Sequence, residues 1–168
     1  MISLVDINAE LNIYRNGAPF NYPVNPVSNI QRVAAPGIKE LQYTCDVAGT
    51  KETYSVNIKF RNMEFKNNSD ADFRNLVKQR DGSTVYHKQI DLKELPVALK
   101  CSCSDFRFRF EYPLFQKKGL IGTFKRYTKV PGSNKPPVNP KNLLGYCKHI
   151  HSLLTALDSS NDIKTIRV

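Results

Sequence analysis

Residues 41–60 read LQYTCDVAGTKETYSVNIKF, and the period of this stretch decides the fold class. Leu41, Tyr43, Cys45 and Val47 alternate with polar residues, and Tyr54, Val56, Ile58 and Phe60 then alternate with Ser55, Asn57 and Lys59. Strand side chains point to opposite faces with period two, so the pattern predicts two strands that bury one face. Ala48-Gly49-Thr50-Lys51 supplies the turn that makes them a hairpin. Cys45 falls in the apolar register and reads as a small core side chain.

On the C-terminal side of the hairpin, Phe73, Leu76, Val77 and Arg80 have helical spacing, and Ser69 with Asp72 resembles a capping box. A helix is expected over residues 70–80, ended by Asp81-Gly82. Thr84 to Leu99 reads as a strand and then a loop around Pro96, with His87 as a strand residue rather than a ligand. Phe106, Phe108 and Phe110 alternate with Arg107 and Arg109, which predicts a strand with one aromatic and one basic face. Residues 119–142 are rich in Gly, Pro and Lys and read as a loop. Near Tyr146 to Leu157, Ile150, Leu153, Leu154 and Leu157 repeat at i, i+3, i+4 and i+7, which predicts a helix with one apolar stripe. On the N-terminal side, residues 1–37 carry Pro19, Pro23, Pro26 and Pro36 and the Asn16-Gly17 turn signal, and an extended arm is expected there.

The chain has 168 residues, 40% hydrophobic and 24% charged, a globular composition that argues against wholesale disorder. Its charge is uneven. Residues 1–99 hold 12 basic and 11 acidic side chains, whereas residues 100–168 hold 13 and 4, so nearly all of the net +10 belongs to the C-terminal part. Lys117, Lys118, Lys125, Arg126, Lys129, Lys135 and Lys141 fall within a single stretch that contains no acid. Such a surplus attracts nucleic acid or an acidic protein face. Arg107, Arg109, Lys117, Lys118, Lys125, Arg126 and Lys129 are the candidate contacts. No apolar run reaches the length of a membrane span, and Met1-Ile2-Ser3-Leu4-Val5-Asp6 lacks the pattern of a signal peptide. Synthesis in a cytoplasm, without membrane association, is the expectation.

Three of four cysteines and two of three histidines fall in two clusters, Cys101-Ser102-Cys103 and Cys147-Lys148-His149-Ile150-His151. In a reducing compartment that grouping points to metal binding rather than disulfides. Zinc takes four tetrahedral sulfur and nitrogen ligands, and Cys101, Cys103, Cys147 and one histidine make such a set. Geometry alone leaves the histidine open. On a regular helix Cys147 shares a face with His151 at i+4, whereas His149 serves only if Cys147 sits on the turn before the helix, a turn that Gly145 allows.

The pattern Cys101-x-Cys103 with Cys147-x-His149 at a helix start resembles the SWIM-type zinc finger, C-x-C…C-x-H. The resemblance covers about residues 99–157 and implies one structural zinc ion on Cys101, Cys103, Cys147 and His149, with His151 a neighbour. The 43 residues between Cys103 and Cys147 form a long insertion in that pattern. The text of Cys101 to Tyr112, Ser133 to Pro140 and Gly145 to Ile150 is also similar to small SWIM-like virion proteins of large tailed bacteriophages. That likeness implies a virion component that joins neighbouring protein subunits, and SWIM modules equally imply nucleic-acid binding as the alternative.

The expected fold is α+β: a small β-rich domain with hairpins and two short helices, plus a zinc-stapled C-terminal β/α module. Its expected divisions are an arm (1–37), a hairpin-containing region (38–98) and the zinc module with its basic insertion (99–168). Four protein ligands leave no open position for a reactive water, and no phosphate loop, nucleophile elbow or paired-carboxylate signature is present, so a non-catalytic protein is expected.

Overall fold

The computed structural model describes residues 1–15, 22–124 and 138–163. Its framework is a seven-stranded sheet with four short α-helices: α1 (Leu4–Tyr14), β1 (Val27–Ala35), β2 (Glu40–Ala48), β3 (Thr53–Arg61), β4 (Phe65–Lys66), β5 (Phe73–Gln79), β6 (Thr84–Lys88), β7 (Val97–Cys101), α2 (Ser104–Arg109), α3 (Glu111–Gln116) and α4 (Lys148–Ser159). The strand order is β4-β6-β5-β1-β2-β3-β7. This is the mixed α+β architecture expected. The β2–β3 hairpin is its centre, paired antiparallel without a break from Glu40↔Arg61 to Ala48↔Thr53. Leu41, Tyr43, Val47, Val56, Ile58 and Phe60 are fully buried on one face, and Cys45 lies among them. Helix α4 packs over β1, β2, β3 and β7, with Ile150, Leu153, Leu154 and Leu157 buried.

Three expectations give way. The first concerns residues 4–14, which form a helix rather than extended chain. Ser3 caps that helix in a reciprocal box: the Asp6 N–H donates to Ser3 Oγ at 3.2 Å, and the Ser3 N–H donates to Asp6 Oδ2 at 2.9 Å. Leu4, Ile7 and Leu11 form its buried stripe. The prolines that suggested an arm all lie beyond it, and strand β1 then pairs with β2 inside the sheet. All three expected divisions of the chain contribute strands to this one sheet.

Residues 73–79 are a strand rather than a helix. Phe73 and Val77 point inward while Leu76, the residue that completed the helical spacing, is 47% exposed. Asp81-Gly82 turns a hairpin into β6, with Gly82 at φ +87° and the Asp81 carboxylate accepting from the Ser83 N–H at 2.9 Å. A left-handed glycine after Asp is the backbone that a tight hairpin demands. Upstream, the capping acceptor is Asp70 rather than Ser69, taking the Asp72 and Phe73 N–H groups.

Residues 104–116 are helical rather than an aromatic strand. Phe106 and Phe110, four apart, are buried, while Arg107 and Phe108 between them are exposed, Phe108 at 45%. The helix breaks at Phe110 for a chemical reason. Pro113 has no N–H to offer the Arg109 carbonyl four residues back, and Asn139 Nδ2 donates to that carbonyl instead at 2.8 Å. Asn139 also brackets Leu143, donating to its carbonyl and accepting from its N–H. This pins the segment that leads to Cys147.

Gly145 contributes by close approach rather than by turn geometry, since its φ lies outside the left-handed region. A Cβ there would stand 2.5 Å from Phe110 Cε1 and 2.9 Å from Leu11 Cδ1, both in fully buried side chains. Gly145→Ala should therefore cost about 1–3 kcal/mol through overpacking. Urea unfolding of the two chains measures the difference, and an unchanged midpoint would contradict this packing.

Candidate metal centre

Strand β7 pairs with β3 up to Cys101, which stands opposite Val56. The chain then leaves the sheet, but the ladder is carried one residue further by Ser102. Its N–H donates to the Ser55 carbonyl, and the Ser55 N–H donates to Ser102 Oγ, both at 3.0 Å. Cys103 is therefore the N-cap of α2 rather than a strand residue, its sulfur accepting from the Phe106 N–H at 3.3 Å. The Cys103 N–H faces Cys101 Sγ at 3.5 Å. Backbone donors aimed at sulfur stabilise thiolate, the form that a metal ligand takes.

The second pair arrives from α4. Cys147 is the N-cap of that helix, with extended φ/ψ of −84° and 168°. Because Cys147 precedes the first helical residue, its side chain is not bound to the i+4 face, and His149 in the first turn meets it. His149 Nδ1 lies 3.8 Å from Cys101 Sγ and 4.0 Å from Cys147 Sγ. Donor atoms of Cys101, Cys103, Cys147 and His149 all lie within 4.8 Å of one another, and all four residues are buried. Ligands at the corners of a zinc tetrahedron stand roughly 3.5–3.8 Å apart, given Zn–S of about 2.3 Å and Zn–N of about 2.0 Å. The donor set and its spacing thus fit a four-coordinate soft or borderline cation.

Electrostatics lead to the same reading. The hydrogen bond with Cys103 pushes Cys101 up to about 12, and burial holds the Cys147 thiol well above its ordinary value. Hydrogen bonds from Cys101 and Cys147 hold Cys103 well below its own. Three clustered thiols that share hydrogen bonds would take up a cation by releasing their remaining protons. The face of His149 is covered by Tyr54, whose ring stacks at 4.3 Å between centroids and fixes the imidazole plane. Tyr54 escaped the sequence reading because the hairpin pattern explains it as an ordinary core-facing residue.

The other named residues fall elsewhere. His151, half-buried, packs edge-on to Tyr22 at 6.2 Å and is outside the cluster. His87 is fully buried with Nδ1 2.6 Å from the Lys88 carbonyl oxygen. Among the basic candidates, Arg107, Lys117 and Lys118 are exposed, while half-buried Arg109 pairs with Asp105 at 2.9 Å. Lys125, Arg126 and Lys129 lie outside the described residues. Asp105, whose carboxyl is pushed up by burial, is an ion-pair partner rather than a member of the donor set. Buried Glu111 pairs with Lys100. No described helix is long and apolar enough to cross a membrane.

No family model, no curated protein and no solved structure matches the chain. The likeness to SWIM-type fingers therefore rests on the four donor residues and their spacing.

Single variants Cys101→Ser, Cys103→Ser, Cys147→Ser and His149→Ala should each reduce bound metal, measured by elemental analysis of the purified chain, by more than half. His151→Ala should leave it unchanged. Loss of metal in His151→Ala with retention in His149→Ala would contradict the geometry.

Proposed function

We propose that this chain is a non-catalytic zinc protein in which one ion staples the end of β7 and the start of α2 to the start of α4. The observation that carries the reading is the closed set of four buried donors, three sulfurs and one imidazole. Zinc is favoured by that donor chemistry. Catalytic zinc keeps one position for water or substrate, and four protein donors leave none. The staple joins elements 44 residues apart in sequence, Cys103 and Cys147, across a basic insertion that would otherwise have to close by burial alone.

We place this zinc protein in the virion of a tailed bacteriophage, as an adaptor between neighbouring subunits. Support for the setting comes from the resemblance of residues 101–112, 133–140 and 145–150 to small virion proteins. The uneven charge is the physical basis for joining: residues 100–168 carry a net +9 and would seat on an acidic protein face.

Removing the ion with a strong chelator should lower the thermal midpoint by roughly 10 °C or more, since a loss of about 4 kcal/mol shifts a domain of this size by that amount. Adding zinc should restore it. An unchanged midpoint after verified metal removal would overturn the staple. For the adaptor reading, gradient-purified particles should contain the chain at a fixed copy number, and its absence from particles but presence in infected-cell lysate would overturn that part alone.

A further inference from the structure

The surface of α2 and α3 carries an arrangement that a metal staple does not require. Phe108, Tyr112 and Phe115 are 45%, 40% and 49% exposed, and they are the only large apolar side chains of these two helices that face solvent. Buried Phe106, Phe110 and Leu114 account for the packing of the helices, so the three outer rings contribute little to the core. Tyr112 and Phe115, three apart in α3, both lean on Phe124, with centroids 5.2 and 5.6 Å away. Gln116 Nε2 donates to Tyr112 Oη at 2.9 Å and fixes that ring further. These rings are held in place rather than loosely exposed.

Exposed cations flank them along the chain. Arg107 lies over the Phe108 ring at 5.8 Å, and Lys117 and Lys118 follow at the end of α3, all three exposed. The nearby acids are already engaged, Asp105 by Arg109 and buried Glu111 by Lys100. From Tyr112 to Leu157 the sequence contains no Asp or Glu at all. The face therefore presents flat aromatic surfaces inside a field of uncompensated positive charge.

We propose that the α2–α3 face is a binding surface for single-stranded nucleic acid, with Phe108, Tyr112 and Phe115 stacking on bases and Arg107, Lys117 and Lys118 engaging phosphates. Only an extended strand offers both chemistries at once, a polyanionic backbone and unpaired bases with free π faces. A duplex keeps its bases stacked on one another and could use the cations alone. An acidic protein segment would satisfy the cations but leave the rings in water. An anionic lipid surface is engaged by one continuous amphipathic helix, whereas α2 and α3 are separate six-residue helices that break at Phe110. The proposal does not rest on the zinc reading, because the rings lie outside the donor set, and it competes with the acidic-face contact of the adaptor reading for the same cations, a choice that polyglutamate competition decides.

The test is fluorescence anisotropy with the full chain and a labelled oligothymidylate of about 20 nucleotides, longer than one site of this kind. Binding should be measurable at low salt and weaken as salt rises. The variant Phe108→Leu/Tyr112→Leu/Phe115→Leu keeps apolar bulk and removes stacking, and it should bind at least about tenfold more weakly. Lys117→Gln/Lys118→Gln should weaken binding and lower the salt slope by about 1–2. A duplex of equal length should bind more weakly, and polyglutamate should compete poorly. Metal content and thermal midpoint, both unchanged, show that the variants are folded. Should the triple variant unfold, Phe108→Leu alone and the lysine pair carry the same test. Full affinity in the leucine variant, equal affinity for duplex, displacement by polyglutamate at equal charge, or no binding at low salt would each overturn the proposal.

Discussion

Three thiols and an imidazole brought within 4.8 Å in a site sealed from water form the constraint on which the C-terminal half of this fold depends. Burying several ionisable groups together is costly unless something compensates their charge. Hydrogen bonds supply part of the compensation, from the Cys103 N–H to Cys101 and from the Phe106 N–H to Cys103, but no basic side chain belongs to the donor set. A divalent cation would complete it. Around that point the structure is arranged to deliver the donors: Ser102 extends the β3 ladder, Asn139 holds the segment before Cys147, and Tyr54 fixes the plane of His149.

Hydrophobic packing and metal chemistry are therefore not separate layers here. Phe110 ends α2, opens α3, and at the same time fills the space that Gly145 leaves empty beside the approach to Cys147. The apolar stripe of α4 lies on the sheet and thereby sets the position of its own N-terminus, where Cys147 and His149 reside. Packing aims the donors, and the donors join elements that packing alone would connect only through long loops. The outward side of the same helices remains available for a different task, since Phe108, Tyr112 and Phe115 face solvent while their neighbours serve the core.

Which parts of this were legible in the sequence follows from what each local pattern had to compete with. The β2–β3 hairpin and the stripe of α4 could be read because one buried face imposes one period over eight or more residues. The donor set was legible because Cys and His are rare and their spacing is short. The choice between His149 and His151, by contrast, turned on the φ/ψ of one residue, Cys147, which no periodicity reports. The segment 73–79 misled because Leu76 sits on an exposed sheet face and happens to complete a helical interval; the better signal was Asp81-Gly82, read as a helix stop instead of a hairpin turn. Phe106-x-Phe108-x-Phe110 alternates like a strand, yet Cys103 caps it into a helix and Pro113 then breaks that helix. In α1 the Ser3-x-x-Asp6 box went unread, because prolines that begin only at residue 19 set the reading of residues 1–37 as one stretch.

X-ray absorption at the zinc edge, on the purified full chain with its metal content determined, tests the central claim most directly. The expected result is one zinc per chain with a first coordination sphere of three sulfurs near 2.3 Å and one imidazole nitrogen near 2.0 Å. A chain that carries no metal, or a sphere containing a water oxygen in place of one of the four protein donors, would contradict it.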